Sequence, residues 1–170
     1  MMRVAVSGKS GCGNSTVSRL VARQLGLRLI NFTFRELAVE YGVSFAELHR
    51  RAAGDPSIDR TIDRRQLAAA AAGDCVLGSR LAIWLLKDAD LTVYLAGTPE
   101  VRARRIAARE GVPYATALAS MNARDAQDHA RYLALYDIDI DNYQHADLVL
   151  DTAALDQFQV AAAIVGALER

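Results

Sequence analysis

The chain has 170 residues, of which 52% are apolar, and its 20 basic and 20 acidic side chains give a formal net charge of zero. That length suits a single globular domain with a sizeable core, and the balanced charge argues against a nucleic-acid-binding protein, which usually carries a basic surface. Charged residues interrupt the apolar stretches before they reach bilayer length, and the first seven residues lack a basic region and a cleavage site. We therefore expect a monomeric, cytoplasmic protein that binds no membrane.

Arginine supplies nearly all of the positive charge, since Lys9 and Lys87 are the only lysines. Arginine suits bidentate phosphate contacts, although an arginine-rich genome would produce the same bias, and both interpretations stay open. Cys12 and Cys75 do not have the spacing of metal ligands, so we expect reduced thiols and no disulfide framework.

A glycine-rich loop follows the first predicted strand and precedes a helical pattern. Its spacing matches the phosphate-binding fingerprint at Gly8, Gly13 and Ser15, but Asn14 stands where the fingerprint has lysine. Glycines let the backbone approach a polyphosphate closely, and the amide groups and the following helix N-terminus attract its charge. Ser15 is the expected Mg²⁺ ligand. The predicted phosphate loop consists of Gly8, Lys9, Ser10, Gly11, Cys12, Gly13, Asn14, Ser15 and Thr16.

The missing lysine raises the question of which group supplies positive charge to this loop. Asn14 can donate a neutral hydrogen bond, worth about 0.5–1.5 kcal/mol against about 1.5–3 kcal/mol for a charge-assisted one. Lys9 lies in the same loop, and its flexible ammonium could fold over the β- and γ-phosphates. The alternatives are a solvated lysine and, for the whole stretch, a chance glycine loop. We take Lys9 as the candidate catalytic cation.

Helical and strand patterns alternate along the remaining chain. The predicted helices cover residues 13–25, 34–41, 44–54, 55–73, 98–111, 113–136 and 155–168, and the predicted strands after the first cover 27–31, 75–77, 91–95 and 148–150. Ser44 and Glu47 have the spacing of a capping box. The alternation predicts a P-loop NTPase-type α/β fold with a five-stranded parallel sheet and helices on both faces. Residues 32–74 form a helical insertion between two strands.

Three residues of the helix after Pro113 carry a candidate phosphate clamp. Arg124, Asp128 and Arg131 fall at i, i+4 and i+7, which places two guanidinium groups on one face with a carboxylate between them. The carboxylate would hold the arginines, and the arginines would neutralise charge on transferred oxygens. The alternative is an ordinary salt-bridged helix face.

Two further arginines follow strands of the predicted sheet. Arg35 comes after the second strand and Arg80 after the third, so both should project from the edge where open α/β sheets place ligands. Their convergence predicts a site for an acceptor phosphate. The alternative is that each pairs with a nearby carboxylate such as Glu36 or Asp63.

Acidic and histidine residues near the end of the chain give no metal motif. Asp137, Asp139 and Asp141 imitate the start of a calcium loop, but Asn142 replaces the turn glycine and Leu148 stands where the bidentate glutamate should be. The three histidines share no ligand spacing. We therefore predict no calcium or zinc site.

The sequence resembles the nucleoside-monophosphate kinases, and within them the short, archaeal-type cytidylate kinases. The likeness covers nearly the whole chain. It rests on the phosphate loop, on Phe34-Arg35-Glu36-Leu37-Ala38, on Asp55-Pro56 with Ile58-Asp59 and Ile62-Asp63-Arg64-Arg65-Gln66, on Ser79-Arg80-Leu81-Ala82, on Ala89-Asp90-Leu91, on Arg109-Glu110-Gly111, on Arg124 with Asp128 and Arg131, and on residues 136–141.

The resemblance implies a single kinase domain that transfers the γ-phosphoryl group of ATP to CMP or dCMP with Mg²⁺. It implies a core of residues 1–31, 75–110 and 145–170, a monophosphate-binding insertion over 32–74 and a lid over 111–144. The expected catalytic residues are Lys9, Arg124, Asp128 and Arg131, and the expected substrate-binding residues are Arg35, Arg80, Arg124, Asp128 and Arg131. The nucleotide phosphates would bind to the phosphate loop, and Ser15 would bind the metal.

Two departures from the family pattern leave alternatives open. Short family members often carry threonine where this chain has Asn14. An acidic residue and glycine usually precede the arginine of strand three, whereas this chain has Gly78 and Ser79, which removes the expected outer-sphere carboxylate for Mg²⁺. The alternatives are another small-acceptor kinase similar to adenylate kinase, and a nucleotide-binding regulator with impaired catalysis.

Overall fold

Five strands and eight helices make up the fold over residues 1–169, which a computed structural model describes. In chain order they are β1 (Arg3–Gly8), α1 (Asn14–Leu25), β2 (Arg28–Ile30), α2 (Phe34–Tyr41), α3 (Phe45–Ala52), α4 (Pro56–Ala71), β3 (Cys75–Gly78), α5 (Ala82–Leu85), β4 (Leu91–Ala96), α6 (Pro99–Glu110), α7 (Tyr114–Tyr136), β5 (Leu148–Asp151) and α8 (Gln157–Leu168). Within this range, no helix combines the length and the apolar character that a bilayer span requires.

The five strands form one parallel sheet in the order β2-β3-β1-β4-β5. The predicted P-loop α/β fold is therefore confirmed, and the predicted bounds lie within two residues of the observed ones. The sequence patterns did not predict α5, because four residues are too few to show a helical period.

Side chains of the central strand alternate between two core clusters, one on each face of the sheet. Val4 and Val6 pack with Ile164 of α8 and with buried residues of α1. Ala5 points to the opposite face, where the cluster includes Tyr132 of α7. Helices thus cover both faces, and the C-terminal ends of the strands remain at one open edge.

Three helices lie between β2 and β3 and have a core of their own. Leu37, Leu48 and Ile58 come from α2, α3 and α4 respectively, and all three are buried in this small cluster. The segment has the helical composition that the sequence predicts for residues 32–74. Its assignment as a substrate-binding insertion remains a prediction.

The predicted capping box of α3 forms only in part. The Ser44 hydroxyl accepts a hydrogen bond from the Glu47 N–H at 3.1 Å, but the Glu47 carboxylate binds the arginines at positions 50–51. The reciprocal bond to the N-cap backbone is therefore not made, because two cations on the same helix attract the carboxylate. A complete box forms instead at the start of α2, between Thr33 and Glu36.

Candidate active site

A cavity of about 880 Å³ opens at the C-terminal edge of the sheet. Its walls come from the phosphate loop, from the segments that follow β2 and β3, from the three helices between those strands, and from α6, α7 and the start of α8. This is the edge where open parallel sheets bind ligands, and the volume lies within the range of small-molecule sites. All the predicted site residues except Asp128 and Arg131 line the cavity directly.

Glycine conformations shape the phosphate loop at the bottom of the cavity. Gly13 is the N-cap of α1 and has φ 88°, a left-handed backbone that other residues rarely adopt. Because no side chain caps α1, its first backbone N–H groups are available to an anion. The loop therefore has the backbone features that phosphate binding requires.

Asn14 holds the loop from behind. Its Nδ2 donates to the Val6 carbonyl at 2.9 Å and lies 3.5 Å from the Ser79 carbonyl, and its Oδ1 accepts from the Ser18 hydroxyl at 3.0 Å. Both amide hydrogens are therefore directed to protein carbonyls. In this structure the Asn14 amide therefore donates to carbonyls at the ends of β1 and β3, and its contact with phosphate stays a prediction.

Gly78 faces the same two side chains. A Cβ added at Gly78 would lie 2.5 Å from the Ser18 Oγ and 2.8 Å from the Asn14 Oδ1. Asn14 and Ser18 therefore fill the space that a side chain at position 78 would need. Asn14 at the lysine position and Gly78 at the acidic position are thus parts of one packing arrangement. Because the Asn14 side chain fills this space, an acidic side chain at position 78 would not fit.

Substituting Gly78 with alanine should destabilise the protein. Overpacking of this kind typically costs about 1–3 kcal/mol, which predicts a melting temperature lower by about 2–12 °C for a chain of this size. Gly54→Ala is the matched control, because a Cβ there meets no atom within 4 Å. Adding Ser18→Ala to Gly78→Ala should recover part of the loss in a thermal melt. Equal melting temperatures for the two glycine variants would contradict the packing argument.

Lys9 forms an ion pair with Asp141, in the segment that follows α7. The Lys9 contact lowers the pKa of the Asp141 carboxyl group, and the nearby His129 ring, whose Nδ1 lies 3.2 Å from the carboxylate, contributes further. Ligand atoms of His129, Asp139 and Asp141 lie within 4.8 Å of one another. The Lys9 ammonium supplies the positive charge at this cluster. Lys9 also lines the cavity, as its position in the phosphate loop requires. Its ammonium group is paired with a carboxylate in this structure.

Asp128 organises two of the predicted arginines, but not the two that the helix spacing indicated. Its carboxylate is fully buried and lies 2.7 Å from Arg80 and 3.1 Å from Arg131. Arg131 also binds Asp59 of α4, with its Nε 2.7 Å from the carboxylate. The predicted position of Asp128 between Arg124 and Arg131 is therefore corrected, because Arg80 from the β3 loop occupies one side of the carboxylate.

Arg124 has no carboxylate partner among the residues that the structure describes. Its Nη1 lies 3.2 Å from the Ser10 Oγ, and its guanidinium lies 5.0 Å from the centre of the Phe45 ring. Arg80 donates to the same hydroxyl at 2.6 Å. Burial is the largest influence that lowers the pKa of Arg124, and the neighbouring Arg80 charge adds to it. Two guanidinium groups thus meet at one hydroxyl of the phosphate loop, and only that of Arg80 is paired with a carboxylate, Asp128. Such a pair of guanidinium groups suits an anion.

Arg35 lies at the same end of the cavity. Its guanidinium is 4.6 Å from the centre of the Phe45 ring, on which Arg124 also packs. The alternative to a phosphate role was pairing with a carboxylate. Within residues 1–169 Arg35 forms no salt bridge, whereas Arg80 does pair with a carboxylate, that of Asp128 rather than Glu36 or Asp63. Arg80 also contacts the phosphate loop at Ser10, and Arg35 lines the same cavity, so their phosphate roles stay predictions.

The sequence reasoning missed Asn31 and Asp59. Asn31 directly follows β2, and its Nδ2 lies 3.3 Å from the Ser15 hydroxyl. Position at a strand end could have identified Asn31, because polar residues there face the ligand edge. Asp59 is buried in α4 and contacts Arg131 from a different helix. No local pattern indicates that long-range contact.

Comparison with known proteins separates the possible P-loop families. The profile of the Cytidylate kinase-like family matches residues 3–154. The chain belongs to this family. It is 45% identical to a protein named cytidylate kinase 2 from Borreliella afzelii over 163 residues, which cover 94% of this chain and 92% of that protein. It is 44% identical to a cytidylate kinase from Pyrobaculum calidifontis, with coverages of 91% and 86%.

Solved structures support the fold of this cytidylate kinase-like chain. Shikimate kinase from Aquifex aeolicus superposes with a TM-score of 0.64 at 18% identity, covering 99% of this chain and 96% of that one. At such identity the likeness concerns the fold alone. The predicted resemblance to the cytidylate kinases is therefore confirmed by the sequence relatives, and the P-loop kinase fold by the structural one.

The buried carboxylate of this cytidylate kinase-like chain allows a stability test. Asp128→Asn keeps the shape but removes the buried charge between Arg80 and Arg131, so two partly buried cations lose their common counter-ion. We expect a loss of about 2 kcal/mol, seen as a melting temperature lower by about 4–8 °C. Glu47→Gln is the matched control, because Glu47 also binds two arginines but at the surface, where such pairs contribute little. Unchanged melting of Asp128→Asn would contradict the bridging role.

Proposed function

We propose that the protein transfers the γ-phosphoryl group of ATP to CMP, and also to dCMP, to give the nucleoside diphosphate. The observation that carries this proposal is the convergence of Arg80, Arg124 and Arg35 on the phosphate loop of a chain that belongs to the cytidylate kinase-like family. A phosphate loop binds the donor, and a separate cluster of arginines beside it suits a second phosphate, that of the acceptor.

The proposed reaction is a direct in-line attack. The second pKa of a phosphate monoester is about 6, so the attacking oxygen of CMP is already anionic at neutral pH and needs no strong general base. Catalysis is then positioning plus stabilisation of the charge on the transferred group. In this proposal Arg80 and Arg35 hold the acceptor phosphate. Arg124, which forms no salt bridge within residues 1–169, neutralises the transferred oxygens.

Asp128 and Arg131 act mainly on position in this scheme. Asp128 fixes Arg80 from one side and Arg131 from the other, and Arg131 ties α7 to Asp59 of α4. We assign residues 32–74 to the acceptor-binding insertion and residues 111–144 to the lid. The ion pair between Arg131 and Asp59 then joins the lid to the insertion when both surround the substrates.

The donor set at Ser15 fits a magnesium ion. Its hydroxyl lies at the start of α1 within the cavity wall, and the amide of Asn31 lies beside it. The Ser15 hydroxyl oxygen is a hard ligand of the kind that Mg²⁺ accepts alongside substrate phosphates and water. We propose that Ser15 holds the Mg²⁺ of the bound ATP and that Asn31, whose Nδ2 donates to that hydroxyl at 3.3 Å, positions it. The ion would neutralise charge on the β- and γ-phosphate oxygens.

An acceptor panel tests the proposal. Purified protein with ATP and Mg²⁺ is offered CMP, dCMP, UMP and AMP, and the diphosphate products are measured at steady state. We expect the highest kcat/KM for CMP, with dCMP next. A preference for AMP would instead support an adenylate kinase-like activity.

Two further measurements test the other expectations. Gel filtration of the same preparation tests the expected monomer, and fractionation of the source cells tests the expected cytoplasmic location.

A nucleotide-binding regulator is the second candidate, and Asn14 is the observation that favours it. The side chain at the usual lysine position points into the protein and offers no positive charge to the phosphates. Rapid-quench single-turnover measurement with excess enzyme decides between the two, since a regulator would bind ATP and form no CDP.

A further inference from the structure

We propose that the Asp63 carboxylate recognises the acceptor base by accepting a hydrogen bond from the exocyclic amine of cytosine, and thereby separates CMP from UMP. The inference rests on the proposed function, and it assigns the acceptor specificity of that same cavity. It follows from four observations about Asp63: the state of the other acidic groups in the cavity, the partner that orients it, its neighbours and its position on α4.

Four acidic residues line the cavity, and three of them are already engaged. The Glu36 carboxylate accepts from the N-cap backbone and hydroxyl of α2. Asp156 accepts from two backbone N–H groups at the start of α8. Asp59 is paired with Arg131. Asp63 forms no salt bridge within residues 1–169, so it is the acidic group of this cavity that remains available to a ligand.

A single hydrogen bond from Tyr136 orients the Asp63 carboxylate. The phenol hydroxyl at the end of α7 donates to Oδ2 of Asp63 at 2.6 Å. No hydrogen bond from the described residues is directed to Oδ1. One oxygen is thus fixed by the protein, and the other can accept a hydrogen bond from a molecule in the cavity.

The cavity that Asp63 lines also has aromatic walls that suit a flat heterocycle. Phe34, Phe45 and His49 line this cavity, with ring centroids 4.7 Å apart for Phe34 and His49. Burial lowers the pKa of His49 to about 4, so this ring is neutral at physiological pH and behaves as an aromatic surface. Aromatic faces stack well on nucleobases, and these rings adjoin the arginines that hold the phosphate.

The spacing along α4 separates a phosphate end from a base end. Asp59 is tied to Arg131 and through it to Asp128, which also contacts Arg80. Asp63 lies one helical turn further on the same face. A nucleotide whose phosphate meets the arginines can therefore extend its base along α4 toward Asp63.

Hydrogen-bond chemistry then favours cytosine. Cytosine presents an amino group as donor at the position where uracil presents a carbonyl oxygen as acceptor. A carboxylate accepts from the amine but repels the carbonyl oxygen. Buried polar groups that are left unpaired by the wrong substrate give large discrimination. We therefore expect Asp63 to contribute at least about 10²-fold to the ratio of kcat/KM for CMP over UMP.

Asp63→Asn is the decisive variant. The amide oxygen can still accept from Tyr136, so the contact between α7 and α4 is kept, while the amide nitrogen becomes a donor toward the base. We expect the ratio of kcat/KM for CMP over UMP to fall by at least about 10²-fold, with kcat/KM for UMP unchanged or raised. Glu40→Gln is the matched control, because Glu40 pairs with Arg65 outside the cavity, and it should keep the wild-type ratio.

Two results with this variant would overturn the assignment. One is a wild-type ratio in Asp63→Asn. The other is an equal loss for CMP and UMP together with a higher Mg²⁺ requirement, which would place Asp63 at the metal. These outcomes differ from failure of the proposed function, in which the wild-type protein itself would convert neither nucleotide.

The pH dependence of the wild-type ratio gives an independent test. Burial raises the pKa of Asp63 to about 6, and the Asp59 charge adds to it, whereas the Tyr136 hydrogen bond and the Arg131 charge oppose it. Above that pH the group is an acceptor only, and below it the carboxyl group gains a donor that can serve uracil. From pH 7.5 to pH 5.5 the ionised fraction falls about fourfold, so the ratio should fall by at least about fourfold, and by more if the protonated form serves UMP, since kcat/KM reports the free enzyme.

Taking the ratio of kcat/KM for the two substrates cancels the effects of the other groups that titrate in this pH range. The phosphate groups of CMP and UMP both titrate near about pH 6 and cancel in the ratio, and His49 titrates below this range. Asp63→Asn should show a ratio that does not change with pH. A wild-type ratio that is constant from pH 5.5 to 7.5 would contradict the assignment.

Discussion

Arg124→Ala is expected to lower kcat by about 10²–10³-fold, the loss that follows removal of one preorganised donor from a developing charge. The KM values for ATP and CMP should change much less, because the charge that Arg124 neutralises grows during transfer. The structural reason is that Arg124 forms no salt bridge among the residues that the structure describes and lies with Arg80 at the Ser10 hydroxyl. Steady-state kinetics with each substrate varied in turn measures both effects.

Two further variants separate this role from general loss of charge. Arg124→Lys keeps a cation but loses the planar fork, so we expect an intermediate kcat. Arg104→Ala removes an exposed arginine of α6 that does not line the cavity and should leave kcat unchanged. A wild-type kcat in Arg124→Ala would exclude Arg124 from the transfer step.

Lys9→Ala is expected to lower kcat by about 10²-fold if the ammonium leaves Asp141 and stabilises the phosphates of bound ATP. In this state of the protein Lys9 is paired with Asp141, so the hypothesis needs an exchange of partners. Asp141→Asn removes the competing carboxylate and should keep kcat within a few-fold of wild type. Equal losses in the two variants would mean that Lys9 serves only to hold the segment after α7.

Asn14→Lys completes that test, because it restores the residue of the usual fingerprint. The sequence alone predicts no gain, since a second ammonium would enter a site already neutralised. The structure adds a separate cost, namely loss of the hydrogen bond that Asn14 donates to Val6 and of the one that it accepts from Ser18. Full activity of Lys9→Ala combined with higher activity of Asn14→Lys would refute the relocated lysine. It would leave the assignment of the phosphate loop unchanged.

Local sequence patterns predicted most of the fold. Strand and helix periods, glycine stops and N-cap residues act within a few residues of the chain, so the element bounds could be placed within two residues of those observed. The short α5 and the split role of Glu47 are the exceptions. The first is too short to show a period, and the second depends on a competition between backbone and arginine partners that a spacing rule does not weigh.

The sequence predicted which arginines belong to the candidate site, but not which carboxylate each arginine pairs with. Arg35, Arg80 and Arg124 could be named because each lies at a strand end or on a helix face that an α/β sheet turns toward its ligand edge. The partner of Asp128 could not be named. Helix spacing brings Arg124 and Arg131 near it, whereas the closest guanidinium comes from Arg80, 48 positions earlier in the chain.

The sequence by itself determined the phosphate loop, the parallel α/β order and the set of arginines, because these follow from local periodicity and from the fixed handedness of strand crossovers. Only the tertiary structure decided which charged side chains form ion pairs and which side chains fill the space beside small residues. Asn14 and Gly78 lie far apart in the chain, yet one fills the space that the other leaves. Within residues 1–169 Asp63 forms no salt bridge, whereas Asp59, one helical turn earlier, binds Arg131. Such choices depend on packing between distant segments, which no local pattern encodes.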